Sequence, residues 1–263
     1  MNVIDQPAII ETEASIAEGT TVGSACYIGK HVIIGKNNHI DDHVVITGHT
    51  TIGDNNYIAS YTVLGTAPQD IKPTSADVSL IIGDHNEIGS HVLISCGTDG
   101  GGKVTHIGNH NKLMDYTHIG HDVQMGNSCV MQDESALGGH VIVQDHVYFA
   151  RKAAVHQFVE IGAHSKLEED AALTQDLPPY CVVSGNRAKI TGLHHTHLKT
   201  IFTQDQMTAL SEAYQMLFES HNSPKESALK ALEQCNSDIL KELYQCIAHS
   251  KRGIPFKRNE NVN

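Results

Sequence analysis

The chain has 263 residues, no tryptophan, only 5% aromatic residues and a formal net charge of −12. Residues 1–186 carry 8 Lys+Arg against 22 Asp+Glu, while residues 187–263 carry 10 against 8. An acidic body argues against a nucleic-acid partner, and no run of residues is apolar and long enough to insert into a membrane.

The N-terminus, MNVIDQPAII, lacks the basic and apolar regions of a secretion signal. From Ile10 onward an apolar residue recurs at every sixth position: Ile10, Ile16, Val22, Ile28, Ile34, Ile40, Ile46, Ile52, Ile58 and Leu64. The period resumes in phase at Ile82, Ile88 and Ile94. After a one-residue shift it runs from Ile107 to Leu173. Neither a helix nor a simple strand has this period. Three six-residue faces make one turn of a triangular prism, a parallel β-helix in which residues 18 apart stack. The prism domain spans residues 1–186, with loops near 65–81 and 95–106. Flat faces favour association around a symmetry axis, and a homotrimer is expected. Residues 187–263 read as a small helical domain. Met207, Leu210, Tyr214 and Leu217 mark one helix, Ser223, Pro224 and Glu226 form a capping-box start for a second, and a third runs from about 236 to 250. The tail after it reads as an ordered arm followed by frayed polar residues. The six cysteines form no CxxC pair, which fits reduced thiols in a cytoplasmic protein.

Nineteen histidines suggest a metal protein until they are placed in the repeat. Counting the apolar slot as i, His31, His43, His49, His85, His91, His110, His140, His146 and His164 all fall at i+3, a tolerated solvent-facing position. His118, His121 and His156 do not. Stacking by 18 puts Gly139 over His121, His140 over Asp122, and Gln157 over Gly139, with about 4.8 Å between coils. A neutral imidazole is a general base near pH 7, and a neighbouring carboxylate fixes its tautomer. A glycine N–H open to substrate can serve as an oxyanion donor. The implied chemistry is direct acyl transfer, with no serine or cysteine needed if the substrate supplies the hydroxyl or amine. The GTDGGGK stretch at 97–103 is not a P-loop, because Val104 stands where magnesium binding needs Ser or Thr. His118-x-x-His121 could hold a metal with a histidine from another subunit, as in γ-class carbonic anhydrases. Asp122 and Gly139 fit acyl transfer better, and no metal is assigned.

At these residues the chain resembles the UDP-N-acetylglucosamine O-acyltransferases of lipid A synthesis. The resemblance covers Gln69-Asp70-x-Lys72, residues 97–102, Leu113-Met114, His118-Ile-Gly-His121-Asp122, Leu137-x-Gly-His140, His156-Gln157-Phe158, Gln175-Asp-x-Pro-Pro-Tyr180, Gly185-Asn186 and Lys251-Arg-Gly-Ile-Pro255. It implies a left-handed β-helix and a cytoplasmic enzyme with no cofactor. It implies His121 as base, Asp122 as its orienter and Gly139 as oxyanion donor. Gln69, Asp70, Lys72, His118, His140, His156 and Gln157 would hold the UDP-sugar acceptor or the acyl arm, and the donor partner would be an acylated acyl carrier protein.

Three features depart from the family. Ser95 replaces a usual histidine, and Thr200-Ile201 an expected Arg-Arg pair near the nucleotide. Stacking by 18 also predicts two acid–base–acid ladders, Asp133–Arg151–Glu169 and Glu134–Lys152–Asp170. In the family this column borders the acyl groove and includes its length ruler. Burying each methylene contributes about 0.8 kcal/mol, which a charged wall would forfeit, so a shorter acyl chain is expected. Short-chain N-acylation, a metal-dependent hydratase and a non-catalytic scaffold are the alternatives.

Overall fold

A computed structural model describes residues 2–256 apart from 73, 74, 76 and 221. Strands of mostly two residues build three parallel sheets, which form the three faces of a left-handed β-helix. We call them the first face (from Val3–Ile4), the second (from Ile9–Ile10) and the third (from Ser15–Ile16). The apolar slots point inward. On the second face Ile28, Ile46, Leu64, Ile94, Ile119, Leu137 and Val155 are all buried, each burial contributing about 1.5–3 kcal/mol.

The 18-residue spacing holds for most coils and fails at two. Ile58 pairs with Ile88 and Leu64 with Ile94, a 30-residue offset. Ile88 then pairs with Leu113 and Ile94 with Ile119, an offset of 25. The described residues of 67–78, and residues 96–103, leave the prism there, between flanking strands that pair as if nothing were inserted. Twelve extra residues keep the hexapeptide phase, which hides from the sequence that Leu64 and Ile82 lie on different faces.

Slot i+3 proves to be the corner residue of each turn. His43, His85, His91, His110, Asp122, His140, His146 and His164 all have φ between 58° and 62°. Among non-glycine residues Asn, Asp and His are enriched in that left-handed region. Most of these histidines are exposed, as expected, but His140 and His164 are half-buried. Many also stack on the ring one coil away: His43 on Tyr61, Tyr61 on His91 and His91 on Tyr116, with centroids 4.7–5.1 Å apart.

The first face continues past the expected boundary at 186. Cys181–Ser184 pairs antiparallel with Lys189–Leu193, so the sheet ends at Leu193. Among the described residues four helices follow: α1 (His195–Ile201), which the sequence pattern did not mark, α2 (Gln204–Tyr214), α3 (Pro224–Leu232) and α4 (Asp238–His249). The helix marked by Met207, Leu210, Tyr214 and Leu217 ends in a π-helical turn, Gln215–Glu219. Ser223 occupies the N-cap of α3, but its side chain makes no cap bond. The capping box belongs to α2, where the Thr203 N–H donates to Gln206 and the Gln206 N–H donates to Thr203. Residues 251–256 form the ordered arm, and the polar residues expected to fray beyond it lie outside the described residues.

Candidate active site

The edge between the second and third faces carries His121 and Asp122, directly after the strand His118–Ile119. The Asp122 side chain is fully buried and surrounded by donors. His121 Nδ1 lies 2.8 Å from Oδ2. Thr98 donates twice, from its N–H to Oδ1 at 2.8 Å and from its hydroxyl to Oδ2 at 2.6 Å. The Asp122 N–H donates to Thr105 Oγ1 at 2.8 Å. These contacts give the 96–103 loop its role, since it folds back over the carboxylate. Gly101 lies so close that a Cβ there would sit 2.0 Å from Asp122 Cγ. Only glycine permits that approach.

A carboxylate only accepts, so the network assigns the proton to His121 Nδ1 and leaves a lone pair on Nε2. The imidazole lies over Gly139, where a Cβ would be 2.6 Å from Cε1 and 2.7 Å from Nε2. The Gly139 N–H has no acceptor among the described residues. The Nε2 lone pair and the Gly139 backbone therefore lie within one small volume. His140 meets His121 edge-on at 4.9 Å and stacks on Phe158 at 4.3 Å. Burial lowers the pKa of His140 despite the nearby Asp122 charge, and burial alone lowers that of His118. Both shifts favour neutral imidazoles.

Asp70 and Lys72, on the 67–78 excursion, reach the same space electrostatically. The Lys72 N–H holds the Asp70 carboxyl below its usual range, with a smaller contribution from His121. Gln69 is exposed beside them. A cavity of about 380 Å³ opens along this edge between Pro68, Lys72 and Ser75 on one side and Gly48, Gly65 and Cys96 on the other. His156 and Gln157 lie two coils further along, exposed, with His156 facing Arg252. His118 projects from the second face between Leu93 and Ala136. His121, Asp122 and His140 offer three ligand atoms within 4.8 Å of one another, a set that does not include His118. Asp122 Oδ2 is already shared by His121 and the Thr98 hydroxyl, an arrangement that suits a hydrogen-bonded dyad.

The charged column lies on another edge, between the first and second faces. Arg151 comes within 3.8 Å of Asp133 and Lys152 within 3.9 Å of Glu134. Neither Glu169 nor Asp170 completes a third rung, so these are pairs and not triads. Their half-exposed side chains outcompete nothing that water cannot replace, so each pair contributes only about 0–1 kcal/mol. Of the departing residues, Ser95 is fully buried, and Thr200 donates to the His197 carbonyl within α1. Thr98, Thr105 and Gly101 escaped the sequence reading. The phase shift marked the loop of Thr98 and Gly101, but not where it folds, and Thr105 lies on the strand Val104–Ile107 that follows it.

A family model described as UDP N-acetylglucosamine O-acyltransferase, domain 2, matches residues 176–255, and a hexapeptide transferase model matches residues 31–66. An acyl-[acyl-carrier-protein]--UDP-N-acetylglucosamine O-acyltransferase of Sulfurovum sp. is 43% identical over 98% of this chain and 99% of its own. One from Aliarcobacter butzleri is 40% identical over 98% and 100%. The solved UDP-N-acetylglucosamine acyltransferase of Campylobacter jejuni superposes with a TM-score of 0.93 at 33% identity, covering 97% of this chain and all of that one.

Proposed function

Since the chain belongs to the UDP-N-acetylglucosamine O-acyltransferase family and is an acyltransferase of the lipid A pathway, we propose that His121 is its general base. His121 Nε2 takes the proton of the sugar hydroxyl as that oxygen attacks the thioester carbonyl of the acylated carrier protein. The new C–O bond forms, the C–S bond breaks, and the imidazolium returns its proton to the departing thiolate. Asp122 stabilises the transient imidazolium, and the Gly139 N–H faces the oxygen on which negative charge develops. The observation that carries this reading is the 2.8 Å contact of His121 with Asp122, whose side chains are 12% and 0% exposed. Burial strengthens such a pair relative to water.

The acceptor sugar lies against Gln69, Asp70 and Lys72, with His118 and His140 beside it and His156 and Gln157 further along the edge. The reaction needs no cofactor beyond the acyl donor. The outward residues of the second face include Val45, Val63, Leu93, Ala136, Ala154 and Ala172, a flat and weakly polar surface suited to a homotrimer. Association across it brings the charged edge of one chain toward the catalytic edge of a neighbour. Asp133, Arg151 and Glu169 then border the acyl path and shorten the accepted chain. No helix among the described residues is long and apolar enough to cross a membrane, and we place the enzyme in the cytoplasm with its carrier-protein donor.

A matrix of acyl donors and sugar nucleotides, assayed with wild type and His121→Ala, tests the reading. Loss of base catalysis lowers kcat by about 10²–10⁴-fold; unchanged turnover would refute the mechanism. Efficient transfer of a 3-hydroxy chain of ten or more carbons would refute the shortened acyl path alone.

A further inference from the structure

After α4 the chain turns back onto the edge that carries His121, and its polar bonds converge on one side chain. Asp176, 2% exposed, accepts through Oδ2 from Ser250 Oγ at 2.6 Å and from the Arg252 N–H at 3.3 Å. The Asp176 N–H donates to the Gly253 carbonyl at 3.0 Å, and the Ile190 N–H to the Pro255 carbonyl at 2.7 Å. Gly253 takes φ +76°, a conformation only glycine adopts cheaply. The Arg252 guanidinium is thereby laid along the edge. Its Nε and Nη2 donate to the Thr174 carbonyl at 3.2 and 3.1 Å, and Nη2 lies 3.3 Å from His156 Nδ1.

What this guanidinium lacks is an anion. No carboxylate of the described residues lies within ion-pair distance of it, although the chain holds 30 Asp+Glu. Its Nη1 has no partner among them. Arginine only donates, so in this contact His156 Nδ1 supplies a lone pair and Nε2 carries the proton. The Gln157 carbonyl, 3.2 Å from the same nitrogen, would need the opposite tautomer. Two outward donors, one of them charged, therefore stand side by side. Gly120, Gly138, His156 and Thr174 recur at 18-residue intervals on this edge, which places the pair two to three coils, roughly 10–14 Å, from the His121 position.

We propose that Arg252 and His156 form a phosphate subsite that anchors a substrate's phosphoryl group while the reacting end lies at His121. The fork of an arginine suits phosphate oxygens, and charge-assisted bonds are the stronger kind. The inference rests on the acyltransferase reading, in which both substrates carry the required chemistry. One source is the phosphodiester of the donor's pantetheine arm and the other the nucleotide diphosphate.

Kinetics of wild type, Arg252→Gln and Arg252→Lys with acyl-pantetheine and acyl-4′-phosphopantetheine, at varied UDP-sugar, separate the two sources. If the donor phosphate is held, wild type prefers the phosphorylated donor by about ten- to a hundredfold in kcat/KM. That preference collapses in Arg252→Gln and returns in part with lysine. If the diphosphate is held, the UDP-sugar KM rises by a similar factor and the donor preference stays. Unchanged values for both would overturn the subsite. So would an equal loss with every substrate accompanied by a fallen Tm, which marks a purely structural arginine. Calorimetric binding of 4′-phosphopantetheine and of UDP to the same proteins reads the subsite without turnover. An inactive wild type would thus defeat the acyl-transfer reading while this inference is still decided by binding.

Discussion

The two edges that flank the second face use the same turn, yet only one of them carries the proposed catalytic pair. On the edge entering that face, the corner slot holds His43, Tyr61, His91, Tyr116, Glu134, Lys152 and Asp170, all with positive φ. Water reaches them freely: Tyr61 is 51% and Tyr116 59% exposed. On the edge leaving it, the same slot holds Asp122, His140 and Phe158, and the 96–103 loop seals Asp122 from solvent. A corner ion pair in water is screened to near nothing, whereas a covered one can fix a tautomer and stabilise a transient charge. The cover, not the slot, separates a solvated surface turn from one that holds a buried, hydrogen-bonded carboxylate.

Asp122→Asn breaks this contrast most severely. The amide removes the charge and brings N–H groups toward the two Thr98 donors, so kcat falls by about 10³–10⁴-fold, as for other His–carboxylate pairs. Leaving those donors unmet also costs about 1–3 kcal/mol of stability. Stopped assays and a thermal melt read the two losses separately. Gly139→Ala leaves the charges alone and displaces the His121 ring by its methyl group. We expect kcat to fall by about a hundredfold from misplacement alone, with a melting curve close to wild type; full activity would show that the ring has room the geometry denies it. The smallest effect belongs to the open edge. Arg151→Ala with Lys152→Ala changes stability by no more than about 1–2 kcal/mol in urea titrations. It shifts acyl selectivity toward longer chains if that edge borders the acyl path, and leaves selectivity alone if it does not.

Much of this contrast was legible in the sequence. The period gave the three faces, and 18-residue stacking gave Gly139 over His121 because no insertion falls between them. The same arithmetic placed Arg151 beside Asp133 but overreached at Glu169, since stacked backbones do not compel long flexible side chains to meet. Thr98 lies 24 residues from its partner Asp122, across a coil lengthened by the loop itself, so no fixed spacing points to it. Arg252 is further still, 96 residues from His156; its placement depends on how the helical domain returns, which hexapeptide periodicity does not encode.

The left-handed corner has a consequence for how such a protein can change. Asp122 holds φ 59° and His140 φ 62°, a conformation that excludes β-branched residues and tolerates Asn, Asp and His. The left-handed corners among the described residues hold no β-branched residue; Tyr, Glu, Lys and Phe occur there, but His recurs most often, with Asp beside it, and these are residues well suited to moving protons. A new activity on this scaffold does not require its acid or base to be invented at an unsuited position. It requires only that an insertion, one coil away, fold down over a corner where those residues already stand.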